Sequence, residues 1–264
     1  MGFREKYTGV NSIEFNRYFQ SGLILLIIAC ITIQANANNA YFKLHDTTSM
    51  DWLFGRKWTP LFVHAKDTVH WQSNSKKSFP NEGWQINQDE LILLSGRKGG
   101  DIKTKNKYSN FELKLEFKMT RLVNSGIKYF VSQMKNEQNG RIEWIGYEYQ
   151  IIDDFHQEEI RGFDDDRGST AALYLLYAPS KKKHLKPLGE WNSLRIKVKN
   201  NRIEHWLNGK KVLTIKTDSK EFEDLVNETK FVNYKDYHKK NEGYILIQDH
   251  GSEVHYRNIL IKEL

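Results

Sequence analysis

The chain has 264 residues, of which 39% are hydrophobic and 13% aromatic, and its formal net charge at pH 7 is +7. This composition is typical of a globular protein with a sizeable core, and the length allows one large all-β domain or two small ones. The lysines are scattered among 33 acidic residues, as in "KVKNNR". Because no basic helix or clustered basic face is recognisable, the composition disfavours nucleic-acid binding.

The N-terminus predicts export from the cytoplasm. The only long apolar run, "LILLIIACITI" at residues 23–33, is too short to span a bilayer but fits a secretory signal, and "ANA" at residues 35–37 is a small-x-small cleavage pattern. We therefore predict a signal peptide over residues 1–37 and a periplasmic or secreted domain over residues 38–264. The alternative is a lipoprotein signal over residues 1–29, with a lipid on Cys30 that would anchor the protein to the outer membrane.

Cys30 is also the only cysteine of the chain. A single cysteine allows no disulfide framework, and either cleavage after Ala37 or a lipid on Cys30 would leave the mature domain without a cysteine nucleophile or a thiolate metal site. Its stability would have to come from the hydrophobic core.

From Trp84 onward the sequence predicts many short strands separated by turn residues. The segment "FELKLEFK" at residues 111–118 alternates apolar and polar side chains with a period of two, which predicts a half-buried strand. Asn200-Asn201 and Asn208-Gly209 are type I′ turn signals, so residues 194–216 are predicted to form a three-stranded meander.

One short helix is predicted after this meander. Asp218 is the expected N-cap, with Glu221 three residues later, and Phe222, Leu225 and Val226 would form its apolar stripe. About eleven strands with one short helix predict an all-β sandwich of two antiparallel sheets or a jelly roll. Residues 38–80 are predicted to be an N-terminal arm of this single domain.

Two predicted strands carry candidate site residues. Lys128 interrupts the apolar strand "SGIKYFV", and it is either a functional cation or a solvent-facing residue of an outer sheet. In "GYEYQIIDD", at residues 146–154, a period of two places Glu148 and Gln150 on one face and the tyrosines on the other. A face with Glu and Gln near aromatic rings suits sugar hydroxyls, and the alternative is an ordinary polar outer face.

Two further segments combine acidic and imidazole side chains. The loop "DDFHQEEIRGFDDDRGS" at residues 153–169 could bind a divalent ion through oxygen ligands, but its spacing matches no calcium loop, so a solvated acidic loop is favoured. His205 shares a strand face with Ile203 and Leu207. A single histidine on an apolar face is more often a core residue than a ligand.

The segment "ILIQDHGS" at residues 245–252 places three polar residues at a strand end. Asp249 shares a face with the isoleucines, whereas Gln248 and His250 lie on the other face. These residues either satisfy turn amides before Gly251 or belong to a site. The sequence has no nucleophile-elbow, zinc-protease or phosphate-loop spacing, so residue types alone indicate an exported β-sandwich that binds carbohydrate.

The sequence resembles the 3-keto-disaccharide hydrolase domain family from about Leu61 to Leu264. The resemblance is carried by blocks such as "GWQINQDELIL", "NSGIKYFV", "GYEYQIIDD", "GEWNSLRIKVKNNRIEHWLNGKKV" and "ILIQDHGSEVHYRNILI", while "STAALYLLYAP" departs from the family pattern. It implies a concanavalin-A-like jelly roll that cleaves glycosides whose sugar has been oxidised at C3 by a partner oxidoreductase. A C3 ketone acidifies the C2 proton, so a base can remove it and the C1 substituent can leave by elimination.

On this resemblance and on residue type, His250 or Glu148 is the expected base and Lys128 the cation near the enolate. The expected substrate-binding residues are Gln150, Asp153, Tyr177, His205 and Asp249. No cofactor is assigned, although carboxylates and imidazoles together could hold a divalent metal ion that the sequence does not identify.

Two other functions stay open at the level of sequence. One is a non-catalytic carbohydrate-binding module that stacks sugars on Tyr and Trp. The other is a conventional glycosidase, which needs two carboxylates across one cleft, here Glu148 with Asp153 or Asp249.

Overall fold

Two antiparallel β-sheets pack face to face in the computed structural model, which describes residues 57–96, 99–160 and 165–264. These residues belong to one compact unit, Thr48–Leu264. The expected signal over residues 1–37, its alternative ending before Cys30, and the first part of the arm lie outside the described residues. The rest of the arm contributes a strand to each sheet.

The described ranges contain thirteen strands. They are β1 (Thr59–Phe62), β2 (Trp71–Ser73), β3 (Trp84–Asn87), β4 (Glu90–Leu93), β5 (Ile102–Tyr108), β6 (Phe111–Met119), β7 (Asn124–Lys135), β8 (Ile142–Ile152), β9 (Trp191–Lys199), β10 (Arg202–Leu207), β11 (Lys210–Lys216), β12 (Gly243–Ile247) and β13 (Val254–Glu263).

The two sheets differ in size. The larger has the order β11-β10-β9-β6-β13-β4-β3, with β1 also pairing with β13, and the smaller has the order β2-β5-β12-β7-β8. The predicted all-β sandwich of two antiparallel sheets is therefore confirmed. Strands adjacent in space are often distant in sequence, as in the pairing of β5 and β7 with β12.

The core lies between the sheets and is rich in aromatic side chains. Strand β6 buries Phe111, Leu113, Leu115 and Phe117, as its period of two predicts. From the smaller sheet, tyrosines of β7 and β8 point into the same core. Since successive side chains of a strand point to opposite faces, the residues between them lie on the outer face of the smaller sheet.

The predicted meander is formed by β9, β10 and β11. Its turn residues Asn200 and Asn201 have φ values of 48° and 60°, and Asn208 and Gly209 have values of 48° and 77°. Positive φ at both central positions is what a type I′ turn requires. Both turn predictions are confirmed.

The one α-helix among the described residues is α1, Lys220–Asn227. Its N-cap is Ser219, whose hydroxyl accepts a hydrogen bond from the backbone N–H of Phe222 at 3.2 Å, so the prediction of Asp218 as the cap is wrong by one residue. Phe222 and Val226 are buried, as predicted. No helix in the described part of the chain is long and apolar enough to cross a bilayer.

Candidate active site

A cavity of about 640 Å³ lies over the outer face of the smaller sheet. Its floor is formed by side chains of β7 and β8 and by the end of β12. Its wall comes from two segments outside the sheets. Residues 169–177 follow the free edge of β8, where Tyr174 donates a backbone hydrogen bond to the carbonyl of Glu148, and the 3₁₀-helix Lys230–Asn233 begins at the pocket.

The antiparallel register of β7 and β8 brings the floor residues together. Lys128 pairs with Glu148, and Gly126 pairs with Gln150. Lys128, Glu148 and Gln150 line the cavity, while Tyr147 and Tyr149 point into the core. The predicted division of β8 into a polar face and an aromatic face is confirmed.

Glu148, Lys128 and Gln248 form a hydrogen-bonded group that we name the Glu148 cluster. The Nζ of Lys128 lies 3.8 Å from Oε2 of Glu148, and the side chains are 15% and 7% exposed. In the amide orientation that satisfies both neighbours, the nitrogen of Gln248 donates to Oε1 of Glu148 at 3.1 Å, and its oxygen accepts from Nζ of Lys128 at 2.9 Å. The carboxylate is therefore held in place from two sides.

The environment of Glu148 favours a base. Burial raises the pKa of the carboxyl above its ordinary value, and the positive charges of Lys128 and Lys230 offset part of this increase. A carboxylate with a raised pKa binds a proton more strongly than an exposed one, yet the nearby lysines favour its ionised form. Proton abstraction is the chemistry that this arrangement suits.

Gln150 lies next to the Glu148 cluster on the same strand face and is 3% exposed. Its Oε1 is buried and has no hydrogen-bond partner among the described residues. Because a buried acceptor without a donor is costly, such an atom on the pocket floor indicates a ligand that supplies a hydroxyl or N–H group. This observation supports the prediction that Gln150 binds substrate.

His250 lies at the exposed end of the same pocket, in the turn after β12. The turn at Gly251, where φ is 87°, reverses the chain there. The structure thus brings His250, Glu148, Lys128 and Gln150 to one cavity, as the site prediction requires. Their catalytic roles stay predictions.

Asp249 and Asp153 do not line this cavity, and both are bound to backbone amides instead. Asp249 accepts hydrogen bonds from Gly100 N and Gly251 N, each at 2.8 Å. The fully buried Asp153 accepts from Leu122 N at 2.9 Å and from Phe155 N at 3.0 Å. These carboxylates stabilise turns, so we remove both from the set of substrate-binding residues.

His205 also lies away from the pocket, inside the core. Its Nδ1 donates to the carbonyl of Ala171 at 3.0 Å, since that oxygen can only accept, and its Nε2 accepts from the hydroxyl of Tyr129 at 2.9 Å. Burial lowers the pKa of His205 to about 4, so the ring is neutral at physiological pH. His205 is therefore a hydrogen-bonded core residue, and it does not line the cavity.

Tyr177 is the last predicted residue that the structure places elsewhere. Its ring stacks on Phe222 of α1, with the centroids 6.2 Å apart and an angle of 10° between the planes. The tyrosine that reaches the pocket from this segment is Tyr174. The correct segment was predicted, but the residue that lines the cavity lies three positions earlier in the chain.

Several pocket residues were missed by the sequence analysis. Trp144 lies on the same face of β8 as Glu148 and lines the cavity. The Nζ of Lys103 lies over its indole ring, 4.3 Å from the ring centroid. An extension of the period-two pattern by two steps would have found it. Lys230, whose Nζ lies 5.0 Å from the ring of Tyr174, has no comparable local signal because it comes from a non-sheet segment.

The sequence left open whether a divalent metal ion binds, and the described ranges contain no cluster of ligands for one. Nowhere in them are three or more His, Cys, Asp or Glu side chains grouped so that they could hold a metal ion. Part of the acidic loop, residues 161–164, lies outside these ranges. We assign no residue to a metal.

The two antiparallel sheets, with a pocket on the outer face of one, have the architecture of a concanavalin-A-like jelly roll, and the polar and aromatic lining of the pocket suits a carbohydrate ligand. Residues 57–262 match the 3-keto-alpha-glucoside-1,2-lyase-like domain family. The chain belongs to this family.

Relatives support this placement. The chain is 32% identical over 219 residues to a 3-keto-disaccharide hydrolase of Bacteroides thetaiotaomicron, and the match covers 74% of each chain. It is similar to the crystal structures of two candidate glycosyl hydrolases from Parabacteroides distasonis. The first is 30% identical with a TM-score of 0.66, over 78% of this chain and 94% of the other. The second is 27% identical with a TM-score of 0.59, over 79% of this chain and all of the other. The predicted jelly-roll class and family are confirmed.

Proposed function

We propose that this protein cleaves 3-keto-glycosides, and that Glu148 is the base that removes the C2 proton. The observation that carries the proposal is the Glu148 cluster, in which a buried carboxylate with a raised pKa lies beside a lysine on the pocket floor. The family and the relative from Bacteroides thetaiotaomicron support the substrate class.

The reaction balances without a redox cofactor. Glu148 takes the proton from C2, and the electron pair of the C2–H bond forms a C2–C3 double bond while the C3 carbonyl becomes an enolate. When the enolate collapses, the C3 carbonyl is restored, a C1–C2 double bond forms, and the bond between C1 and the leaving oxygen breaks. Addition of water, with hydroxyl at C1 and hydrogen at C2, completes a hydrolysis; release before that step makes the enzyme a lyase.

Three other pocket residues have roles in this scheme. The ammonium of Lys128 stabilises the negative charge that develops on the C3 oxygen when the enolate forms. This developing charge is the one that most needs stabilisation. The unpaired oxygen of Gln150 accepts a hydrogen bond from a hydroxyl of the oxidised sugar. His250, at the exposed end of the pocket, protonates the leaving oxygen.

We assign the base to Glu148 rather than to His250 because of their surroundings. A base that attacks a weakly acidic C–H group benefits from a position shielded from water, and Glu148 has that position. His250 is exposed, which suits proton exchange with solvent during release of the aglycone.

The proposal also places the protein in a reaction sequence and a compartment. Its substrate must first be oxidised at C3 by a separate sugar oxidoreductase. The N-terminal signal, if cleaved after Ala37 or acylated at Cys30, would put the reaction in the periplasm, at the outer membrane or outside the cell.

The two alternatives are less well supported. A two-carboxylate glycosidase would need Asp153 or Asp249 as the partner of Glu148. Both carboxylates instead accept hydrogen bonds from turn amides, which disfavours this function. A carbohydrate-binding module would gain nothing from a buried carboxylate and lysine on its floor, since the desolvation of both charges costs binding energy.

The test is incubation of the purified protein with a 3-keto-glucoside and with its unoxidised parent, each with and without a chelator. Release of the aglycone from the keto substrate alone is the expected result. Binding of the unoxidised glycan without turnover of either substrate would instead indicate the binding module, and cleavage of the parent would indicate the conventional glycosidase. Loss of activity with the chelator would add a metal to the mechanism.

A further inference from the structure

The outer face of the smaller sheet carries a second polar group, formed by Asn74 and Asp101 at the edge away from Glu148. The pairs Ser73 with Ile102 and Ile102 with Ile247 fix the register of β2, β5 and β12. One residue further along each strand, the same register aligns Asn74, Asp101 and Gln248 in a row that leads to the Glu148 cluster. All three residues line the 640 Å³ cavity.

The carboxylate of Asp101 is held in a fixed orientation. Its Oδ1 accepts a hydrogen bond from the backbone N–H of Asp249 at 2.8 Å, and its Oδ2 accepts from Nδ2 of Asn74 at 3.2 Å. Asp249 in turn anchors the preceding loop through Gly100. Asp249 therefore orders the loop beside Asp101, although its own side chain does not line the cavity.

The fixed carboxylate also determines how the Asn74 amide is oriented. The amide nitrogen of Asn74 donates to Asp101, so the Oδ1 atom of the same amide points away from this carboxylate. That oxygen is buried and has no hydrogen-bond partner in the described ranges. Native proteins rarely leave such an acceptor unpaired, because its desolvation is not repaid.

Gln150 presents the same feature at the opposite edge of the sheet. The two buried acceptors without partners, Asn74 Oδ1 and Gln150 Oε1, both belong to residues that line this one cavity, with the Glu148 cluster between them. One acceptor is thus available on each side of the proposed base. A ligand with hydrogen-bond donors at both of its ends satisfies both atoms.

We infer that Asn74 and Asp101 form a subsite for a neutral, hydroxyl-rich leaving group, which is the second sugar of a disaccharide. This inference rests on the proposed function. Both residues present acceptor oxygens, so the subsite favours groups that donate hydrogen bonds, as every sugar hydroxyl can. It disfavours a carboxylated sugar, whose negative charge would lie beside Asp101, and it offers nothing specific to an aryl group.

The experiment compares two substrates that share the oxidised sugar but differ in the leaving group. One is a 3-keto-disaccharide with a neutral hexose as leaving group, and the other is the 4-nitrophenyl 3-keto-glucoside. The variant is Asn74→Leu, which keeps the side-chain shape but removes the amide. The matched control is Asn241→Leu, in a separate cavity on the same protein.

We expect Asn74→Leu to lower kcat/KM for the disaccharide by about 10- to 100-fold, the range for loss of one or two buried hydrogen bonds. The aryl substrate should be cleaved within about twofold of the wild-type rate, since it makes no such bonds. Free hexose should inhibit cleavage of the aryl substrate by the wild type and by the Asn241→Leu variant. The same concentration of hexose should inhibit the Asn74→Leu variant more weakly. This inhibition reports binding of the hexose at the subsite without requiring cleavage of the disaccharide.

The two proposals fail in different ways. If the wild type cleaves neither keto substrate, the proposed function is wrong and the subsite inference is lost with it. If the wild type cleaves both, but Asn74→Leu affects both equally or affects neither, only the subsite inference is wrong. If Asn74→Leu loses activity equally on both substrates and also has a lower melting temperature, Asn74 stabilises the fold of the loop. That result also overturns the inference.

Discussion

Gly126 provides the space in which the carboxylate of Glu148 lies. A β-carbon on Gly126 would clash with Oε1 of Glu148 and would lie 2.9 Å from its Cγ and Cδ atoms. The obstructed atoms belong to the end of a flexible side chain, so a methyl group here would displace the carboxylate while the backbone stays in place. The proposed base thus owes its position to a residue on the neighbouring strand.

The substitution Gly126→Ala should therefore abolish activity without unfolding the protein. We expect cleavage of a 3-keto-glucoside to fall at least about 100-fold, because a displacement of about 1 Å can cost that much. The free energy of unfolding should change by no more than about 1 kcal/mol. Urea denaturation and an activity assay on the same preparation check both statements.

Gly146→Ala is the contrasting variant, since its β-carbon would lie 2.5 Å from the backbone carbonyl oxygen of Tyr129. Here the backbone must move, and a clear loss of stability is expected. A fully active Gly126→Ala protein would contradict the assigned position of Glu148.

Lys128→Met should shift the pH dependence of cleavage. Burial raises the pKa of Glu148, and the charge of Lys128 lowers it, so removal of that charge raises the pKa further. The base acts only when it is deprotonated, and activity is lost as the pH falls through its pKa. The acidic limb of the kcat/KM profile should therefore move to higher pH, and the plateau should also fall because the enolate loses its cation.

The control for this profile is Lys135→Met, on the same strand but exposed and paired with Glu137. Its acidic limb should coincide with that of the wild type. An unshifted limb in Lys128→Met would mean that a group other than Glu148 controls the profile.

His205 should make the stability of the fold depend on pH. Its folded-state pKa is about 4, below the ordinary value of 6.5, so the unfolded chain binds more protons between these values. Stability is therefore fully present above pH 6.5 and is lost progressively as the pH falls to 4. The shift corresponds to about 3 kcal/mol.

The measurement is the free energy of unfolding of wild type and His205→Gln between pH 7 and pH 4. The glutamine variant should be less stable at pH 7 but should lack this contribution to the acid sensitivity. Parallel curves for the two proteins would show that His205 does not titrate in this range.

The sequence predicted those features that depend on local periodicity. The period of two placed Glu148 and Gln150 on one face, and the paired asparagines at residues 200–201 predicted a left-handed turn that the backbone adopts. The same reasoning failed for Asp249, because an aspartate at a strand end is equally suited to a site and to turn amides. Only the three-dimensional position of Gly100 distinguishes the two.

Other features depend on contacts between residues far apart in the sequence. Asn74 and Asp101 meet because β2 pairs with β5, and they join the Glu148 cluster because β5 pairs with β12. No local pattern encodes that sheet order. His205 is a related case, since its burial was foreseen as the more common outcome but its partner Tyr129 lies 76 residues away in the sequence.

The central claim is that Glu148 removes the C2 proton, and a substrate with deuterium at C2 tests it most directly. Release of deuterium to water and release of the aglycone are measured for wild type, Glu148→Gln and His250→Ala. We expect the wild type to release both, and Glu148→Gln to lose both by at least about 100-fold while remaining folded. His250→Ala should still release deuterium but release the aglycone more slowly. Release of deuterium and aglycone at the wild-type rate by folded Glu148→Gln would contradict the account.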